Sequence, residues 1–130
     1  MNVLDTEAFM REMFEADSSI RYVAIVDLEY RILASKHRAG ISRLTPDDVD
    51  HHFVSIVPQI ILEAVEKLSP FLGQVEGVTA HYKKVLLIFY RFEDLIVCIS
   101  FEPDRETPFY NKITELFRKL SKLYLAHPRS

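Results

Sequence analysis

Residues Tyr22–Ser35 read YVAIVDLEYRILAS, and this stretch decides the fold. Tyr22–Val26 is a continuous apolar run rich in β-branched residues, the composition of a strand covered on both faces. It predicts a strand over Ile20–Leu28. Asp27-Leu28-Glu29-Tyr30 follows as a tight turn, and Arg31–Lys36 returns as a more polar second strand. A buried strand joined by a short turn to a polar one is a hairpin with its first member inside a sheet and its second at the edge.

Outward from this hairpin the pattern stays regular. Upstream, Phe9, Met10, Met13 and Phe14 fall at helical spacing within Thr6–Ala16 and predict a first helix, which Asp17-Ser18-Ser19 breaks. Downstream, Lys36–Leu44 is a basic loop. Thr45 then reads as an N-cap, Pro46 as the first helical residue, and Asp47 and Asp48 sit where the helix dipole favours negative charge. The long second helix that follows carries Val49, Phe53, Val54, Ile56, Val57, Ile60, Ile61 and Val65 on an apolar arc of roughly half the circumference. Pro58 lies inside it and is expected to kink it or to split it near Val57. Ser69-Pro70 is expected to end it.

Three further strands are predicted, over Gly73–Tyr82, Val85–Arg91 and Leu95–Phe101, joined by short hairpin turns at Lys83-Lys84 and Phe92-Glu93-Asp94. A last helix opens with Thr107 as cap and Pro108 at its first position. Phe109, Ile113, Leu116, Phe117, Leu120 and Tyr124 form its stripe, and Ala126–Ser130 is expected to fray. The order is α-β-β-α-β-β-β-α. The first, fourth and fifth strands are nearly continuously apolar and belong in the middle of one sheet; the second and third belong at its edges. This makes a single α+β domain spanning the chain, with an ordered core over residues 5–125 and helices on both faces.

Composition narrows the function classes. The net charge of −3 offers no basic excess for nucleic acid. Only 3 glycines occur, too dispersed for a phosphate-cradling loop. No apolar run approaches a bilayer span, and Met1–Met13 lacks a signal-peptide core, so a soluble, cytoplasmic protein is expected. The lone Cys98 sits in an apolar strand and reads as a core residue, not a nucleophile. His51-His52 beside Asp47, Asp48 and Asp50 suggests a metal, but Asp47 and His51 share one face as only two ligands where zinc needs at least three. The better reading is a solvated helix start. No cofactor, metal or catalytic residue is assigned, and the chain is not read as an enzyme.

Two surfaces stand out. Arg31, Lys36, Arg38 and Arg43 form a basic patch around the second strand, suited to an anion or acidic partner if it is more than a solvated loop. The arc of the second helix is wider than a sheet-facing stripe, with Val54, Ile61 and Val65 at one margin. These three, with Glu76, Val78, Ala80 and Tyr82 of the third strand, are the candidate dimer or partner interface. Glutamate at both Val54 and Ile61 is expected to leave a soluble monomer.

The order of elements and the Tyr22–Ser35 hairpin resemble the roadblock/longin-like (profilin-like) domains, closest to uncharacterised archaeal proteins of that group. The resemblance covers about Asp5 to Leu125 and departs at Tyr30, where glycine is commoner, and at the bulky second helix with Pro58. It implies an antiparallel five-stranded sheet in the order 2-1-5-4-3, the second helix on one face and the first and last on the other. It implies a non-catalytic homodimeric interaction or scaffold module, built through the second helix and the edge strand after it, of a kind that regulates small GTPases. The same strand–turn–strand pattern occurs in PAS and Cache domains, so a small-molecule sensor is the alternative.

Overall fold

A computed structural model describes residues 4–102 and 108–126. The elements are α1 (Thr6–Ala16), β1 (Ile20–Asp27), β2 (Ile32–His37), α2 (Asp47–Val65), a 3₁₀ turn (Glu66–Leu68), α3 (Ser69–Leu72), β3 (Gly77–His81), β4 (Leu86–Phe92), β5 (Leu95–Phe101) and α4 (Pro108–Tyr124). All strand pairs are antiparallel and the sheet order is β2-β1-β5-β4-β3, as expected. Every residue of β5 is buried and most of β1, whereas β2 and β3 are edges with partly exposed side chains.

Alternation along the strands sorts side chains into two cores. Val23, Ile25, Val97, Ile99, Ile88 and Tyr90 pack with α1 and α4. Ala24, Val26, Ile96, Cys98 and Phe89 pack with α2. The helix distribution that the resemblance implied is the one observed.

Turn chemistry fixes the deciding hairpin. Asp27 Oδ1 accepts from the N–H groups of Glu29 (2.8 Å) and Arg31 (3.0 Å), and its Oδ2 accepts from Arg31 Nε (2.7 Å). Partial burial works to raise the Asp27 carboxyl, but these donors outweigh it and hold the group below the usual carboxylate range. Tyr30 takes φ 66°, the left-handed conformation in which glycine is cheap and a bulky side chain is not. The departure at Tyr30 is thus a locally strained residue in a turn that Asp27 holds closed.

The long helix corrects three expectations. It starts at Asp47, with Pro46 in the cap position and no side-chain cap; the Thr45 hydroxyl donates instead to Asp50 Oδ1. It runs unbroken past Pro58, which is buried; the ring deprives only the Val54 carbonyl of its donor, and tertiary packing against β1, β2 and β5 holds the rest. Ser69-Pro70 does not end the helical path but opens α3, because proline suits the first turn of a helix. Gly73, at φ 89°, closes that turn with its N–H on Ser69 O at 2.9 Å. The third strand consequently begins only at Gly77. Thr107 and the side chain of Phe109 lie outside the described residues.

Candidate functional site

The sheet has one roofed face and one half-open face. On the first, α1 and α4 lie side by side. Phe117 of α4 stacks on Tyr90 at 4.2 Å and meets Phe9 and Phe92 edge-on, each at 6.3 Å. The Tyr90 hydroxyl is shared with Thr114 Oγ1 at 2.9 Å. The Asp5 N–H donates to Tyr124 O at 2.9 Å, tying the two helices end to end. Their contact is mainly apolar; basic Arg118 pairs with Glu76 ahead of β3 rather than with the acids of α1.

On the second face α2 lies over β1, β2 and β5. Phe53 rests its ring on Phe89 of β4 at 5.9 Å, so one flank of α2 points towards β4 and β3. On that side Val78 and Ala80 of β3 share the α2 face of the sheet with their register partners Phe89 and Leu87, while Tyr82 lies just past the end of the strand. Val78 and Ala80 are half-buried and Tyr82 is 53% exposed. The apolar flank continues out of the monomer. Val49 and Ile60 of α2 are 48% and 55% exposed, and Phe71 and Leu72 of α3 are 82% and 77% exposed. Leu44, Val65 and Leu68 are exposed as well, so most of the exposed large apolar side chains fall between Leu44 and Leu72 in the chain.

The margin of the arc therefore lies elsewhere than the sequence put it. Val54 is buried against Tyr22, Ala24 and Cys98, and Ile61 packs on the same core. Only Val65 of the three points to solvent, and glutamate at Val54 would bury an unpaired charge rather than expose a monomer. Val49 and Ile60 sit on the opposite flank of the helix. The Phe71-Leu72 pair was missed, although the signal existed: two large apolar residues between Pro70 and Gly73, outside any strand or amphipathic stripe. Glu76 is exposed and engaged by Arg118.

The four residues of the basic patch are not brought to one place. Arg31, at one end of β2, pairs with Asp27 at 2.7 Å and Glu29 at 3.1 Å. Arg38 is past the other end, about 20 Å away by strand rise. It turns inward: Nε donates to Ile20 O (2.7 Å), Nη2 to Phe14 O (2.8 Å) and Asp17 O (2.7 Å), and its guanidinium lies 5.1 Å from the Phe14 ring centre. Arg38 is a clamp on the α1–β1 connection. Lys36 is exposed on β2, and Arg43 stands near His37 and Tyr22.

A small titratable cluster lies under the start of α2. The His37 ring sits 4.4 Å from that of Tyr22, with its Nε2 3.6 Å from Asp50 Oδ2. Burial, and then Arg43, lower the His37 pKa; Asp50 opposes them and Arg21 adds to them. Burial raises that of Tyr22. His51 and His52 are exposed above, at a shallow open groove of about 630 Å³ with Tyr30, Ile32, Ser35 and Ser55. No group of three or more His, Cys, Asp or Glu side chains able to hold a metal occurs among the described residues. Cys98 is buried, its thiol pushed far up by desolvation, and faces α2, whereas His81 is on the opposite face of the sheet. No helix among the described residues is long and apolar enough to cross a membrane.

No protein-family model and no curated protein matches the sequence. Solved structures do match the fold. A roadblock/LC7 domain from Streptomyces avermitilis superposes with a TM-score of 0.69 over 93% of this chain and 98% of its own, at 10% identity. MglB of Myxococcus xanthus gives 0.67 over 91% and 93%, at 12% identity. An MglB with a tetrameric arrangement gives 0.69 over 95% and 91%, at 14% identity.

Proposed function

We infer, from a chain with the roadblock/longin-like fold and an apolar surface left open beside α2, that it is a non-catalytic interaction module that pairs with a second copy of itself. The whole chain is taken as one such domain, acting in the cytoplasm. The observation that carries the reading is the exposure of Val49 and Ile60 on α2 and of Phe71 and Leu72 on α3. Covering that surface removes apolar area from water at roughly 25 cal/mol per Å². The unpaired edge of β3 offers backbone groups alongside it. The tetrameric arrangement of one structural neighbour supports association between copies.

Light scattering over a dilution series tests this. The wild-type chain is expected at twice its monomer mass. Ile60→Glu with Phe71→Glu is expected to be a folded monomer, since both side chains are exposed in the single chain. A wild type that is monomeric at every concentration sinks the reading.

The roadblock resemblance suggests a small GTPase as the regulated partner, an assignment resting on fold alone. Its test is co-purification of a guanine-nucleotide-binding protein with the tagged chain; failure in every nucleotide state ends that assignment. The rival reading, a small-molecule sensor, has the groove beside His51 and His52 as its support among the described residues. It requires ligand-dependent stabilisation in a thermal-shift screen.

A further inference from the structure

The sheet has a second free edge. β2 closes it at the end opposite β3, and among the described residues no strand pairs with its outer side. Arg38 N–H donates inward to Arg21 O at 2.7 Å. Counting back along the register, Lys36 and Ala34 also turn their backbone groups to β1, so Ser35 and His37 turn theirs outward. Unpaired N–H and carbonyl groups in a row accept a further strand.

The flanks of this edge select the strand. Ser35 stands opposite Ala24 on the α2 face, where the groove of about 630 Å³ opens between β2 and the first turns of α2. Tyr30 and Ile32 give that groove apolar walls. Tyr30 holds its half-exposed ring there at φ 66°, a conformation costly for a bulky side chain, and residues kept in such conformations cluster at binding sites. Lys36 stands opposite Val23 on the other face of the sheet. It is exposed, and no hydrogen bond or ion pair engages it among the described residues. Two β2 edges paired antiparallel about Ser35 would bring their Lys36 side chains within roughly 7–8 Å, so the edge turns away its own copy. A carboxylate opposite Lys36 is favoured by the same closeness.

We propose that β2 is a docking edge for an extended acidic segment of another protein, which adds to the sheet as a further strand, lays apolar side chains into the groove and sets carboxylates beside Lys36. Alternation along a strand turns this into one pattern, apolar and acidic residues at every second position. The site is separate from the surface used for self-association. Four strand spacings, about 19 Å, lie between β2 and β3, so both can be occupied at once.

Fluorescence anisotropy of the full chain with labelled peptides tests it. One peptide alternates valine and glutamate over the length of β2, a second alternates valine and lysine, and a third carries the residues of the first in two blocks. The alternating valine–glutamate peptide is expected to bind roughly tenfold tighter than either of the others, and Lys36→Glu to reverse the preference between the first two. Ser35→Pro is expected to abolish binding, because proline there removes an outward donor and no bond to β1. Tyr30→Gly is expected to weaken binding severalfold while the chain stays folded, checked by circular dichroism. Equal affinity for the alternating and blocked peptides would mean charge attraction without strand addition and overturn the proposal. So would an unchanged preference in Lys36→Glu, undiminished binding by a folded Ser35→Pro, or no saturation by about 1 mM valine–glutamate peptide. A dimer mass that persists through any of these failures leaves self-association standing, and a monomer that binds the peptide leaves this edge standing without it.

Discussion

The two faces of the sheet carry similar apolar strands and are finished differently. Two helices roof one face, and Phe117 contacts three aromatic rings there. One helix covers the other face and leaves the β3 side half-buried, with Ile60, Phe71 and Leu72 turned outward. The difference teaches that apolar content does not measure stability within the chain. On the roofed face it is spent on folding; on the open face part of it stays exposed. Substitution should separate the two.

The largest effect is expected at the roofed face. Phe117→Ala should cost about 3–5 kcal/mol, because it empties a site between Phe9, Tyr90 and Phe92. Phe71→Ala should change the stability of the monomer by no more than about 0.5 kcal/mol. Denaturant midpoints at concentrations below self-association compare them directly. Equal losses would erase the distinction between the faces.

Next is Arg38, which joins α1 to β1 beneath the roofed face. Arg38→Ala should cost about 2–3 kcal/mol, since the carbonyls of Phe14, Asp17 and Ile20 lose a charged donor. Arg38→Lys should recover less than half, because one ammonium cannot reproduce the planar fork. Full recovery by lysine, measured by thermal unfolding, would mean that charge alone matters there.

A smaller, pH-dependent effect belongs to the open face. The folded pKa of His37 lies below the ordinary 6.5, so the unfolded chain binds a proton more readily. The contribution of His37 is therefore complete above 6.5 and declines as pH falls through that value towards the lower folded one. His37→Gln should flatten the part of the stability profile that lies below 6.5. An unchanged slope would assign it to other groups.

The smallest effect is expected in the turn. Tyr30→Gly should stabilise the chain by about 0.5–1 kcal/mol, the relief of a left-handed bulky residue less the entropy glycine loses on folding. A loss instead would show that the half-exposed ring packs usefully against the groove it borders.

Legibility followed the range of the forces. The Tyr22–Ser35 hairpin, the apolar strands and the stripe of α4 were readable because side-chain alternation and helical period are local. The start of α2 was misplaced by a residue and its continuity past Pro58 was left open, since one lost hydrogen bond is weighed against packing that only the folded chain supplies. Val54 and Ile60 show the same limit at the candidate surface. Both lie on the apolar arc, yet one is buried against Cys98 and the other is 55% exposed. Arg38, read as part of a basic patch, found three backbone carbonyls that no spacing in the sequence places beside it.

By itself the sequence determined the two hairpins, the first and last helices and which strands lie inside the sheet, because each of these depends on neighbours within a few residues. Only the tertiary structure decided how far α2 reaches across its face and which of its apolar residues stay outside. That depends on where β3 and β4 stand relative to a helix far from them in the chain, and the period of a helix carries no record of it.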